Sequence, residues 1–251
     1  MGYADLHIHT IHSYDGTASV EAVLWHTAYY TDLDVIAITD HDSISGIEKA
    51  MDLAPYYGID VIPGCEVSTA DGHLLALFIQ HPVPDGYSLI KTVELIGEQG
   101  GICIAAHPNA IGVSSLRFST IQNALEHAGI SQVLVGVEAF NGGLLANKNN
   151  AKVESLAQAL PLAQTGNSDS HILETIGCGS TEFAGCTALD LRQALISATT
   201  KVRKNPTSLR FGFISHYLPR LILQKVGMEA RIVVPEIPAS FFIAENSLEN
   251  Q

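Results

Sequence analysis

Ligand-type side chains recur at one place in this chain, the downstream end of its apolar runs, and that recurrence limits the folds open to it. The run at residues 3–9 closes on Asp5-Leu6-His7-Ile8-His9-Thr10. VIAITDHD brings Asp40 and His41, VIPGCEVS brings Glu66, ICIAAHPN brings His107, and GNSDSH brings Asp169 and His171. Successive side chains of a strand point to opposite faces, so His7 and His9 leave the same face. Two imidazoles on one face can grip a single metal ion. Only a fold that gathers strand ends from the whole chain would bring these groups together.

The order of elements predicts such a fold. Apolar or β-branched runs at 3–9, 34–39, 59–63, 74–80, 101–105, 133–138 and 161–165 read as strands. Helix-like stretches at 19–30, 43–57, 87–99, 116–128, 144–159 and 188–199 lie between most of them. Ser19 is a candidate helix start, as is Ser43, with Asp42 as the cap of the second. Alternating strands and helices predict a largely parallel sheet with helices outside it. Seven units favour a β/α barrel over an open sheet, and in such barrels the active site lies at the C-terminal strand ends.

At 251 residues the chain suits one barrel domain. No run of about 18 apolar residues marks a membrane span. The opening MGYADLH carries no basic-then-apolar leader. Cys65, Cys103, Cys178 and Cys186 form no metal-type or disulfide-type spacing, so a cytoplasmic location is expected, with Cys65 as a core residue. Residues 1–200 hold six Lys or Arg against 22 Asp or Glu, a balance of −16, whereas residues 201–251 carry seven against four, or +3. An acidic body disfavours tight nonspecific nucleic-acid binding.

His7-x-His9, Asp15, Thr39-Asp40-His41-Asp42, Glu66, His73, His107-Pro108 and Asp169-x-His171 occur in an order that resembles the PHP (polymerase and histidinol phosphatase) family of metal-dependent phosphoesterases. The resemblance covers residues 3–185 and implies an α/β fold, a distorted (β/α)7 TIM-like barrel of the PHP type, with two to three divalent ions in a cleft. It implies that His7 and His9 bind a first ion with Glu66 and Asp169. Glu66 would bridge to a second ion held by His73 and His107, and Asp15, His41 and His171 would hold a third. Mixed imidazole and carboxylate ligands suit zinc, manganese or iron. Asp15, His41, Glu66 and His171 are the expected catalytic residues. A metal-bound hydroxide would attack phosphorus in line, with His171 or His12 available to the leaving oxygen.

Other positions stay open between two readings. His81 ends the run that His73 begins, and barrel logic favours the former while the family pattern favours the latter. Asp40 either orients a ligand imidazole or caps a helix. Glu138, at the end of VGVEAFNG, either steadies a ligand or touches substrate, and Asn141 and Asn167 are weaker candidates of the same kind. Only Arg117 and Arg192 are available in residues 1–200 to grip phosphate. Arg117 is the expected substrate contact, Arg192 a helix-face charge, and His12 a second substrate candidate.

The expected function is hydrolysis of a small phosphomonoester or a terminal nucleotide phosphate, including a short oligonucleotide end. Glu66 and His107 are 41 positions apart, too close for an added lobe over the cleft. The alternatives are an amidohydrolase-like C–N hydrolase or a non-catalytic metal-binding regulatory module. The former often uses a lysine carbamate, but Lys49, Lys91, Lys148 and Lys152 fall in helix-like stretches or loops. Residues 1–205 are expected to form the barrel. Residues 206–234, apolar with scattered basic groups, would form a short C-terminal helical extension, and 235–251 a loose tail.

Overall fold

Among the described residues nine strands form one sheet that curls until its ends nearly meet. The computed structural model describes residues 1–143 and 147–205; the expected helical extension and tail lie outside them. The strands are β1 (Gly2–Ile8), β2 (Val35–Ile38), β3 (Asp60–Thr69), β4 (Gly72–Leu77), β5 (Ile102–Ala105), β6 (Leu134–Asn141), β7 (Ala163–Asn167), β8 (Gly179–Phe183) and β9 (Lys201–Lys204). Their order is β7-β6-β5-β4-β3-β2-β1-β8-β9. The pairs β1–β2, β2–β3, β5–β6 and β6–β7 are parallel, and β4 runs antiparallel to both its neighbours. Closure comes after β7, where Ser170 exchanges backbone hydrogen bonds with β1: His9 N–H to Ser170 O at 2.9 Å and Ser170 N–H to His7 O at 3.1 Å. The fold is a distorted TIM-like barrel. The antiparallel β8–β9 pair, absent from the sequence expectation, is added beside β1.

Seven helices accompany the strands among the described residues: α1 (Val20–Tyr30), α2 (Ile47–Tyr57), α3 (Leu89–Glu98), α4 (Phe118–Leu125), α5 (Ile130–Val133), α6 (Asn147–Ala157) and α7 (Ala188–Ile196). Ser19 caps α1, its hydroxyl accepting from Ala22 N–H. The second helix does not start at Ser43. Asp42 N–H donates to Glu66 O and Glu66 N–H to Asp40 O, so the chain past β2 stays alongside β3. Asp42 is therefore no helix cap; its carboxylate accepts from Ser68 N–H at 2.7 Å, and α2 begins at Ile47 after Gly46.

The core has two sides. Ile8, Ile36 and Ile38 pack outward with Val23, Leu24 and Ala50 of the helices. Leu6, Val35, Ala37, Ile62, Leu75 and Ile104 pack with Leu191 and Leu195 of α7. This helix touches β3, β6, β7 and β8. Ala188 N–H donates to Asp60 at the start of β3, and Arg192 Nη2 donates to Gly100 O just before β5. α7 thus closes the barrel mouth at the N-terminal strand ends, and Arg192, also over the Phe78 ring, is a structural tie there rather than a free helix-face charge. The opposite mouth is left for chemistry.

Candidate metal centre

A bulge in β1 aims the first histidines. The register with β2 shifts between Asp5 and Ile8, so β1 carries one residue more than its partner. Leu6 therefore packs on the α7 side while Ile8, two residues on, packs on the α1–α2 side. Bulges near functional sites re-aim side chains in this way. Past the bulge, His7 and His9 both reach the cluster, their rings 5.0 Å apart.

Glu66 is at the centre. Its Oε2 is 3.0 Å from His7 Nε2, 3.3 Å from His9 Nε2 and 3.2 Å from His41 Nδ1. Its Oε1 is 2.9 Å from both His73 Nδ1 and His107 Nε2. Asp169 Oδ1 is 3.4 Å from His7 Nε2 and 3.3 Å from His9 Nε2. Asp15 Oδ2 is 3.1 Å from His171 Nε2 and 3.5 Å from His41 Nε2. All nine expected ligands meet here, in overlapping groups: His7-His9-Glu66, His7-His107-Asp169, His41-Glu66-His73, and His9-Asp15-His41-His171. His107 and Asp169 hold left-handed backbones, φ 26° and 52°, a strained conformation for residues with side chains.

The reversed β4 settles where each end of its run lies. It pairs with β3 in a tight hairpin, Ser68 opposite His73, which carries His73 to the C-terminal end of β3. His81 lies past the other end of β4, exposed, its N–H donating to Gln99 Oε1. Barrel logic pointed to His81 only because it assumed a parallel β4.

Around the cluster stands a frame that the sequence only partly announced. Glu138 is fully buried and spends both oxygens: Oε1 accepts from His7 Nδ1–H at 2.9 Å and Asn167 Nδ2–H at 2.8 Å, and Oε2 from His107 N–H at 2.6 Å and Asn141 Nδ2–H at 3.0 Å. Asn141 also donates to Asp169 Oδ2. Ser13, missed in the sequence, accepts from His41 N–H at 2.9 Å and bonds His9 Nδ1 at 3.0 Å. Asp40 neither orients His41 nor caps a helix; it accepts from Thr10 N–H and Oγ1–H and pins the turn after β1. Arg117 and His12 are exposed, Arg117 at the start of α4 beyond the His107 loop.

The electrostatics are those of a site built for cations. Burial disfavours the His9 imidazolium, but Asp169 and Glu66 outweigh it and push its pKa up to about 10. Burial likewise opposes ionisation of Glu66, yet His7, His107 and His73 hold its carboxyl well below the usual range. Negative charge is thus kept at the centre and drawn to any available positive partner. His41 Nδ1 and Asp15 Oδ1 are buried without a hydrogen-bond partner, and His9 Nε2 meets Glu66 and Asp169 only at 3.3 Å. Orphaned buried acceptors are costly, and divalent ions would satisfy them. The donor set of six imidazoles and three carboxylates fits such ions.

A nearly closed β/α barrel with a histidine–carboxylate cluster at its strand ends defines a barrel protein with a candidate metal centre. The PHP-associated family model (PHP_C) matches residues 147–200. The uncharacterized protein MJ1587 of Methanocaldococcus jannaschii is 34% identical over 171 residues, 63% of this chain and 93% of that protein. A 5'-3' exoribonuclease of Haemophilus influenzae is 25% identical over 225 residues, 87% of this chain and 73% of its own length. The crystal structure of a two-domain protein from Bacteroides vulgatus, described as containing a predicted PHP-like metal-dependent phosphoesterase, superposes with a TM-score of 0.61 at 18% identity, covering 81% of this chain and 64% of that one. The chain belongs to the PHP family.

Proposed function

We propose that this protein is a metal-dependent phosphoesterase that hydrolyses a small phosphomonoester, or the terminal phosphate of a nucleotide or short oligonucleotide. The observation that carries this reading is Glu66, whose two oxygens each face imidazoles on a different side of the cluster. That arrangement suits a carboxylate bridging two cations. Divalent ions bound here would neutralise charge on the phosphoryl oxygens and acidify an attacking water. Zinc, manganese and iron all suit the donor set.

The chain's own residues do the rest. Glu138 fixes the protonated nitrogen of His7 and leaves Nε2 free to act as a ligand. His171, its Nε2 3.1 Å from Asp15 Oδ2 at the edge of the cluster, is the candidate to serve a departing oxygen. Arg117 and His12 are the candidates to meet substrate outside the cluster. Support for a small substrate comes from the stretch between Glu66 and His107, which is used up by β4, α3 and β5 with no added lobe. The name of the Haemophilus influenzae relative is consistent with a nucleotide end.

Lys49 is paired with Glu21 and Lys91 with Glu94, which leaves neither for the carbamate of an amidohydrolase-like site. Among the described residues no helix is long and apolar enough to cross a membrane. All four cysteines are free thiols.

The test is metal content of protein purified without chelator, paired with phosphate release from p-nitrophenyl phosphate and a nucleotide panel. Metal-dependent release that is lost in Glu66→Gln is expected. Bound metal with no release from any ester would overturn the reading in favour of C–N hydrolysis or a regulatory module.

A further inference from the structure

Tyr14 is the part of the cleft that phosphoryl chemistry leaves unused. It lies in the loop between β1 and α1, directly before Asp15, and is 74% exposed. Its ring lies almost parallel to that of His41, with 4.8 Å between centroids and 15° between planes. His41 in turn lies against Glu66 and Asp15. One face of the Tyr14 ring is therefore covered by a candidate ligand, and its exposure leaves the other to solvent.

The neighbouring rim has matching chemistry. Ile11 of the same loop is exposed, as are Ile111 and Val113 of the loop between β5 and α4. That second loop also borders the cluster, since Ser114 O accepts from His73 N–H. Across both loops the only cation is Arg117. A substrate whose phosphate lies at the cluster thus extends outward past an aromatic and apolar rim rather than a basic one. A planar, uncharged group with a π-face fits such a rim, and every nucleobase has one. A longer polyanion does not fit the acidic body.

We infer that Tyr14 is a base platform: the nucleobase of a nucleotide, its phosphate at the metal cluster, stacks on the outer face of the Tyr14 ring. This rests on the phosphoesterase reading and adds to it the group that selects substrate.

The test compares adenosine 5′-monophosphate with ribose 5-phosphate, which keeps the phosphate and sugar and lacks the base. Binding of each to the manganese-loaded protein is measured by calorimetry for wild type, Tyr14→Phe and Tyr14→Ala, and phosphate release is followed in the same samples. The nucleotide is expected to bind more tightly than the sugar phosphate by about 5- to 150-fold, the range for one stacked base. Tyr14→Phe keeps that ratio and Tyr14→Ala loses it. Equal binding of the two compounds by wild type, or an equal loss for both in Tyr14→Ala, overturns the platform, and the second result makes Tyr14 only a prop for His41. Release without base preference overturns the platform and leaves the phosphoesterase reading standing. Base preference without release does the reverse. Neither binding nor release from either compound overturns both.

Discussion

His7 donates from Nδ1 to Glu138 at 2.9 Å, and this bond turns its Nε2 toward Glu66, 3.0 Å away. The same carboxylate accepts from the His107 backbone, so one buried side chain aligns candidate ligands from β1 and from the end of β5. Glu138→Gln keeps the volume but cannot accept at all four contacts. Manganese affinity is expected to fall about 10- to 100-fold, with the far-ultraviolet circular dichroism unchanged. Competition with a fluorescent chelator measures it; an affinity equal to wild type would show that Glu138 does not position the ligands.

Cations that bind only the folded chain stabilise it by mass action. Saturating manganese at about 100 times its dissociation constant adds about 3 kcal/mol, and the melting temperature should rise by about 5–10 °C over chelator-treated protein. His9→Ala removes a nitrogen shared by two of the ligand groups. Its melting curve should respond to manganese much less than that of wild type in differential scanning fluorimetry. An undiminished response would exclude His9 from the site.

Gly72 permits the approach of two loops. Its φ is 137°, and a Cβ there would lie 2.3 Å from Leu116 N and 2.4 Å from Ser115 C. Gly72→Ala is expected to cost about 2–4 kcal/mol, from backbone strain and displacement of the loop that borders His73. Urea unfolding gives the value, and a change under 0.5 kcal/mol, roughly the range for a surface substitution, would mean the loop yields freely.

Asp5 lies beneath the cluster and accepts from Ser168 N–H and His7 N–H at Oδ1 and from Gly177 N–H at Oδ2. Burial nevertheless dominates and pushes its pKa up to about 6, from 3.8. A raised carboxyl pKa means the folded chain binds the proton more tightly than the unfolded one. The resulting stabilisation is complete below about pH 4 and is lost as pH rises through 6, with a slope of about 1 kcal/mol per pH unit between the two values. Asp5→Asn cannot titrate, so the wild-type minus mutant difference in unfolding free energy should fall across that window. A flat difference would place the carboxyl near its ordinary value.

Legibility differed from element to element. Ser19 and the histidine-bearing strand ends could be read directly, because caps and period-two alternation are local rules. The start of α2 could not. Residues 41–46 carry helix-start chemistry, yet Asp42 and Glu66 draw them alongside β3, a partner that is distant in sequence. The choice between His73 and His81 failed to resolve for a similar reason, since hairpin reversal after Glu66 depends on pairing with β3 and β5. Asp40 does not take the orienting role that the sequence offered it; Ser13 holds His9 and His41 instead. A lone serine in a loop gives no signal until that loop folds back on His41.

The sequence by itself determined the inventory of ligand-type side chains, the strand ends that carry it and the barrel class, because metal chemistry restricts the residue types to look for and a strand's alternation is intrinsic to its backbone. Only the tertiary structure decided which oxygen of Glu66 faces which imidazole, which residues frame the ligands, and that Tyr14 lies open over His41. Those depend on a bulge in β1, a reversed β4 and loops that meet across the barrel mouth. Each joins residues far apart in the chain, and no local rule encodes their distance.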